Sequence, residues 1–438
     1  MGWPWSGSCS SSSSRARTRR RACRPTWRSG FHPSGDADSD FRLRIGDCRF
    51  SGKAINPKSA IHHRRLGGGA MARISTYDDW VALFRQWQRE IGLSDHPKVR
   101  DYTPQPMYGE LEHPEIRFGA FKGQLRWKSL QHIPDQRIRD SLEQLIVVQG
   151  DTEFASVEQQ RNLLETAPSD FDLDSLARVM CEEMRHGVQM SHILINHFGY
   201  SGRIEAQKLL ERHAYANQRL LGSFNLDVQN WLDFFVYTQF IDRDGKFQLK
   251  MLSFSAFAPL AQSMGPMLKE ESFHLGTGNN GLLRLLKAGK IPIPIIQRYF
   301  NKWICTAFDL FGKDGSATSQ WAYEWGLKGR YDEDQNPAVP DREQLNAYNR
   351  ELYRKECVGL VEKLNRLIPA DQPKLFVPDI KFNRAIGAYA GQRFSVTGEP
   401  VSPAQYESYL ASQLPTREDQ ELLAQIFERP DWIAPRAA

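Results

Sequence analysis

From Thr76 onward, apolar residues recur at helical spacing. Tyr77, Trp80, Leu83, Phe84 and Trp87 fall on one face and predict a first amphipathic helix. Residues 94–135 break the pattern: Pro and His interrupt short apolar pieces, which read as loop laid over a core. Helical spacing returns through Ile138, Leu142, Leu145 and Ile146 to about Glu165, with Asp135 placed to cap the start and Ala167-Pro168-Ser169 to stop it. A second long helix is predicted over residues 172–198, ended by Gly199, and a shorter one over 204–212. Apolar positions resume at Leu226, are dense to Phe240 and run on to about Ser255. Pro259 suits the first turn of the next helix, and Pro266 should kink it one turn before Glu271. Beyond Gly278 more helix is expected at 282–287 and 295–310. After a polar, Pro-containing stretch from Asp332, another is expected at 344–367. This is an all-α pattern. Its four long helices suit a ferritin-like four-helix bundle core, with further N- and C-terminal helices and loops around it.

Charge changes how the chain divides. The overall +5 is uneven: residues 1–70 hold 14 Lys/Arg against 4 Asp/Glu, leaving 43 basic and 48 acidic groups elsewhere. The main body is mildly acidic and offers no nucleic-acid surface. Residues 1–70, with Ser10–Ser14, an Arg-rich stretch and Gly67-Gly68-Gly69, have no apolar period. Such a leader can be a transit peptide; we read it as a disordered or non-native extension ahead of Met71. Residues 71–134 are then a helix and loops over the core, 135–330 the bundle, and 331–438 a polar, helical extension. No two of the six cysteines form a Cys-x-x-Cys pair, which suits a reducing, cytoplasmic setting and gives no zinc site. No apolar run reaches the roughly 18 residues of a membrane span.

The candidate chemistry lies in two Glu-x-x-His stretches, Glu183 to His186 and Glu271 to His274. Residues three apart share a helix face, so each pair can reach one ion. Two such motifs, plus one acid from each of two other helices, form the ligand set of a di-iron carboxylate bundle. Ligands from antiparallel helices meet only at equal heights above their turn. Glu183 lies about 15 residues past a turn near 167–168, roughly 23 Å along a helix, and Glu153 lies as far before it. Glu271 and Asp242 stand in the same relation to a turn near 256–257. The separations, 30 and 29 residues, nearly match. This register requires helix straight through Asp244-Gly245, at ~1 kcal/mol for the glycine, although that dipeptide ordinarily marks a turn. Carboxylate oxygen and neutral imidazole suit non-haem iron, and four acids balance two Fe²⁺.

Competing readings exist for several of these residues. Glu182 and Glu270 stand four before each His, so Glu-x-x-x-His is an alternative register in which Glu183 and Glu271 would not be the ligands. Asp244 competes with Asp242. His192 and His197 read as core or capping residues. Gln149 either hydrogen-bonds the ligand Glu153 from one turn away or is an ordinary polar position. A further match, Glu110 to His113, is followed by Pro114, which disfavours helix.

At these residues the chain resembles a known family. Gln149-Gly-Asp-Thr-Glu153, Glu182-Glu183-Met-Arg-His186, Asp242-Arg-Asp-Gly-Lys-Phe-Gln-Leu249 and Glu270-Glu271-Ser-Phe-His274 look like the oxygenase components of benzoyl-CoA 2,3-epoxidases, relatives of the phenylacetyl-CoA epoxidase catalytic subunit. The likeness runs from about Phe118 to Gly329, and more weakly over 378–398. It implies Glu153, Glu183, His186, Asp242, Glu271 and His274 as ligands of two irons. It implies O₂ as co-substrate, an aryl-CoA thioester as substrate, and electrons from NADPH through a separate flavin and iron–sulfur reductase. One oxygen atom would add across the 2,3 bond of the ring. Ser272-Phe273 departs from the Ala-His expected before the last ligand, and an effect on pocket shape is expected from Phe273. Other readings of the same residues are a paralogue acting on phenylacetyl-CoA or another aryl-CoA, a ferritin-like iron-binding protein, and a metal-free helical interaction protein.

Overall fold

The computed structural model describes residues 74–93 and 96–436; the reading of residues 1–70 as an extension lies outside them. Among the described residues there are α-helices and no β-strand, only isolated bridges such as Trp127 with Phe257. In chain order the helices are α1 (Tyr77–Glu90), α2 (Pro97–Arg100), α3 (Gln136–Gln160), α4 (Asp170–His197), α5 (Gly199–Glu211), α6 (Trp231–Ser253), α7 (Ala258–Ala288), α8 (Ile293–Leu310), α9 (Ala317–Glu324), α10 (Leu345–Asn365), α11 (Pro403–Gln413) and α12 (Arg417–Phe427). The fold is all-α and ferritin-like.

Local chemistry sets the ends of the four bundle helices. The side chain of Asp135 accepts from Arg137 N–H, that of Ser169 from Asp172 N–H and that of Asn230 from Asp233 N–H, each satisfying a donor that the first helical turn leaves free. Pro259 occupies the first turn of α7 and Gly289, at φ +62°, closes its end. Helix α6 runs unbroken through Gly245. Two expectations are corrected. Helix α7 does not stop near Gly278 but continues to Ala288. A Cβ on Gly278 would lie 2.7 Å from Gln239 N, and one on Gly281 would lie 2.1 Å from the Phe235 ring. These glycines let α6 and α7 approach closely, which is why a helix tolerates them. At the other boundary, α6 begins at Trp231 rather than Leu226, which is half-exposed ahead of the Asn230 cap.

The bundle is two hairpins, α3 against α4 and α6 against α7, joined where α4 meets α7. The buried Asp172 at the start of α4 takes two hydrogen bonds from Arg284 near the end of α7, at 2.7 and 3.1 Å, so these two helices run antiparallel. Helix α1 lays Trp80, Phe84 and Trp87 over Phe154 of α3. Buried Glu158 of α3 takes hydrogen bonds from Trp87 Nε1 at 3.0 Å, from Ala214 N at 2.6 Å and from His213 Nδ1 at 2.8 Å, and pairs with Arg219 at 3.1 Å. The turn between α6 and α7 is held by Arg126, whose guanidinium donates to Ser253 O and Ser255 O. Pro266 sits inside α7 and cannot donate to the Gln262 carbonyl. Gly109 N–H takes that place at 2.8 Å and fastens the loop before α3 onto the helix.

Candidate metal centre

All six sequence-predicted acids and histidines are buried in the bundle: Glu153 on α3, Glu183 and His186 on α4, Asp242 on α6, and Glu271 and His274 on α7. His186 Nδ1 lies 3.3 Å from Glu153, 3.8 Å from Glu271 and 4.0 Å from Glu183. His274 Nδ1 lies 3.3 Å from Glu183, 3.6 Å from Glu271 and 4.0 Å from Asp242. Two sets could each hold an ion, Glu153–Glu183–His186 and Glu183–Glu271–His274, sharing Glu183. Both imidazoles are 0 % exposed, with ring centroids 5.9 Å apart. The Glu-x-x-His register thus faces inward. Gln149 Nε2 donates to Glu153 Oε1 at 2.6 Å and holds that carboxylate in place.

The neighbouring acids, Glu182 and Glu270, take a different place. Each accepts from the outward Nε2 of the histidine on the other helix: Glu270 from His186 at 2.8 Å, Glu182 from His274 at 3.1 Å. Glu270 is in turn held by Arg185, and Glu182 by Arg178 at 2.8 Å. Donation from Nε2 leaves the Nδ1 lone pairs aimed inward, the arrangement that orients imidazole ligands. Asp244 belongs to neither ion set; it lines the neighbouring cavity and accepts from Gln248 at 2.8 Å. His192 contacts the Tyr108 hydroxyl at 2.9 Å, and His197 packs edge-on against Phe257. Glu110 and His113 lie outside any helix. The Phe273 ring lies under the Arg178 guanidinium at 3.7 Å, on the histidine side, so it does not line the cavity described below.

Electrostatics test whether these residues fit metal ions. His186 Nδ1, His274 Nδ1, Asp242 Oδ2 and Glu271 Oε2 are buried without a hydrogen-bond partner. Four orphaned polar atoms at one level would be costly in a finished core. Burial pushes Glu183 up to about 8, with Glu153 and Glu271 adding like charge. Burial also pushes Asp242 well above the carboxylate range, with Glu183 and Glu271 adding to it. Burial works against the charged form of His186, but Glu153 and Glu270 hold it up at about 9. A cluster that must hold protons to offset its own charge suits divalent cations, and the oxygen–imidazole donor set fits iron.

A cavity of about 160 Å³ opens between α3 and α6 on the carboxylate side. Glu153, Glu183, Asp242 and Glu271 line one part; Leu145, Val148, Ile241, Leu252 and Leu310 give it apolar surface, and Asp244 and Gln248 also line it. Lys328, after α9, is the one cationic side chain among the described residues lining it, and its Nζ donates to Gln248 Oε1 at 2.6 Å. Sequence reasoning missed Lys328: nothing local marks it, and only the tertiary fold carries it to α6.

The buried carboxylates and imidazoles form two groups that could each hold a metal ion, and comparison with known proteins indicates an oxygenase, an oxidoreductase. The chain belongs to the phenylacetic acid catabolic protein family, whose model matches residues 129–337. Within that family it is benzoyl-CoA-oxygenase-like. It is 36% identical over 383 residues to benzoyl-CoA oxygenase component B of Aromatoleum evansii, covering 75% of this chain and 79% of that protein. No helix among the described residues is long and apolar enough to cross a membrane.

Proposed function

We propose that the protein is the oxygenase component of an aryl-CoA epoxidase, converting benzoyl-CoA to 2,3-epoxybenzoyl-CoA in cytoplasmic aerobic degradation of aromatics. Glu153, Glu183, His186, Asp242, Glu271 and His274 would hold two irons. When bound, the di-iron pair supplies O₂ activation: one oxygen atom enters the ring, and the other leaves as water with two electrons from NADPH, delivered by a separate flavin and iron–sulfur reductase. The observation that carries this reading is the convergence of orphaned imidazole and carboxylate atoms beside an aryl-sized, partly apolar cavity. A cavity on the order of 150 Å³ has room for one benzene ring.

The protein's own residues orient the ring and exclude water. The apolar walls favour a flat ring over solvent and keep reactive species from being quenched. Gln149 fixes the Glu153 carboxylate, and Glu182 and Glu270 fix the histidine tautomers. Purified protein, reductase, NADPH and benzoyl-CoA should give the epoxide, identified by mass spectrometry, and metal analysis should find about two irons per chain. Product from phenylacetyl-CoA alone would move the substrate to that thioester. Iron loading far above two, without turnover, would favour a ferritin-like store.

A further inference from the structure

We propose that Lys328 anchors the thioester: its ammonium donates a hydrogen bond to the carbonyl oxygen of the bound aryl-CoA and so sets the ring against the carboxylate wall. The proposal rests on the aryl-CoA reading and names the contact that would recognise the activated acyl group.

Placement comes first. Lys328 Nζ meets Gln248, which lies six residues beyond Asp242 on α6, about 9 Å along the helix axis. A ring positioned for reaction must approach to about 3–3.5 Å. On ordinary bond lengths, the carbonyl oxygen of an aroyl thioester lies roughly 3–4 Å from the 2,3 bond. Together these put that oxygen roughly 6–8 Å from the atom that attacks the ring, and farther from the carboxylates that would hold the metal, a depth comparable with that of Gln248. The nucleotide end of CoA lies much farther out along the pantetheine arm, so its phosphates would not reach this level.

Donor capacity is the second argument. An ammonium has three N–H groups. Among the described residues Gln248 accepts one, and no carboxylate lies within ion-pair range of Nζ. Gln248 stands between Lys328 and Asp244, donating to the acid at 2.8 Å while accepting from the lysine. If Lys328 served only to neutralise Asp244, the two would be expected to pair directly. Instead the chain cation–amide–anion points the amine along the cavity wall with donors to spare. Burial pushes Lys328 down to about 8, with Asp244 pulling the other way, so it remains a charged donor at neutral pH. A charge-assisted hydrogen bond is among the stronger kinds.

The test is calorimetry on the full-length, iron-loaded protein, held anaerobic and without reductant so that nothing turns over. Two ligands are compared: benzoyl-CoA and S-benzyl-CoA, which keeps the ring and the nucleotide but has a methylene in place of the carbonyl. Lys328→Met should weaken benzoyl-CoA by about 10–100-fold and leave S-benzyl-CoA within about twofold. Because this variant removes the stronger of the two cationic influences on Asp244 and leaves only Arg350, the same comparison is repeated with Lys328→Met in an Asp244→Asn background, read against Asp244→Asn alone. Equal loss for both ligands, which a phosphate contact or a general packing role would give, overturns the proposal. So does no loss for either ligand. Wild-type protein that binds neither ligand overturns the aryl-CoA reading itself, and this proposal with it.

Discussion

Glu182 on α4 accepts a hydrogen bond from Nε2 of His274 on α7, while Glu270 on α7 accepts from Nε2 of His186 on α4. Each motif thus supplies the support for the other's imidazole. Replacing Glu182 or Glu270 with Gln removes the orienting charge and leaves all six inward groups in place. Iron affinity should fall about 10–100-fold, measured by competition with a chelator. Unchanged affinity would limit these acids to pairing with Arg178 and Arg185.

Glu183 belongs to both potential ion sets. Glu183→Gln should take iron below one per chain. The metal-free protein, however, should melt a few degrees higher, because a carboxylate that burial makes unfavourable is replaced by a neutral isostere, on the order of 1–3 kcal/mol. A lower melting point in the metal-free state would mean that Glu183 stabilises the fold directly.

Gly278 sets how closely α6 and α7 pack. Gly278→Ala should separate the helices that carry Asp242 and Glu271, costing about 1–3 kcal/mol and reducing bound iron. Gly265 faces open space, so Gly265→Ala is the control: it should leave iron content unchanged.

Glu158 governs acid stability away from the candidate centre. Burial alone would raise its pKa, but His213, Arg219 and the Ala214 N–H outweigh this and hold it below the ordinary value. For a depressed carboxyl, the stabilisation is present above about pH 4–5 and is lost as pH falls through the folded-state pKa. Glu158→Gln should therefore cost about 3 kcal/mol at pH 7, toward the lower limit because Asp151 also faces Arg219 at 3.3 Å. It should also flatten the acid limb of the melting profile; an unaltered limb would assign acid sensitivity to other groups.

The parts of this architecture that repeat at short range were readable in the chain. Glu183 and His186 share a face because three residues make nearly one turn, and Glu153 and Asp242 follow from equal heights about two turns of chain. Gln149 to Glu153 is likewise an i, i+4 contact. What depended on how one helix docks against another was not readable. The sequence alone left Glu182 and Glu270 as rival ligands, because their partners are 92 and 84 residues away. Gly278 read as a helix end for the same reason: its value lies in the approach of Gln239, which no local pattern reports. Phe273 was expected to alter the pocket, but it packs under Arg178 and is not among the residues that line the cavity.

Pro266 is, by propensity, the worst residue in α7. Yet the carbonyl it frees at Gln262 is where Gly109 attaches. The same segment is stitched again by Met107 N to Gln189 Oε1 at 2.6 Å, and Gln189 in turn donates to Ser263 at 2.8 Å. The break in one ladder of hydrogen bonds works as an address for a distant stretch of backbone. Healing it with alanine would perfect the helix and evict the loop, so the gain that helix propensity promises would be offset by an orphaned amide at Gly109.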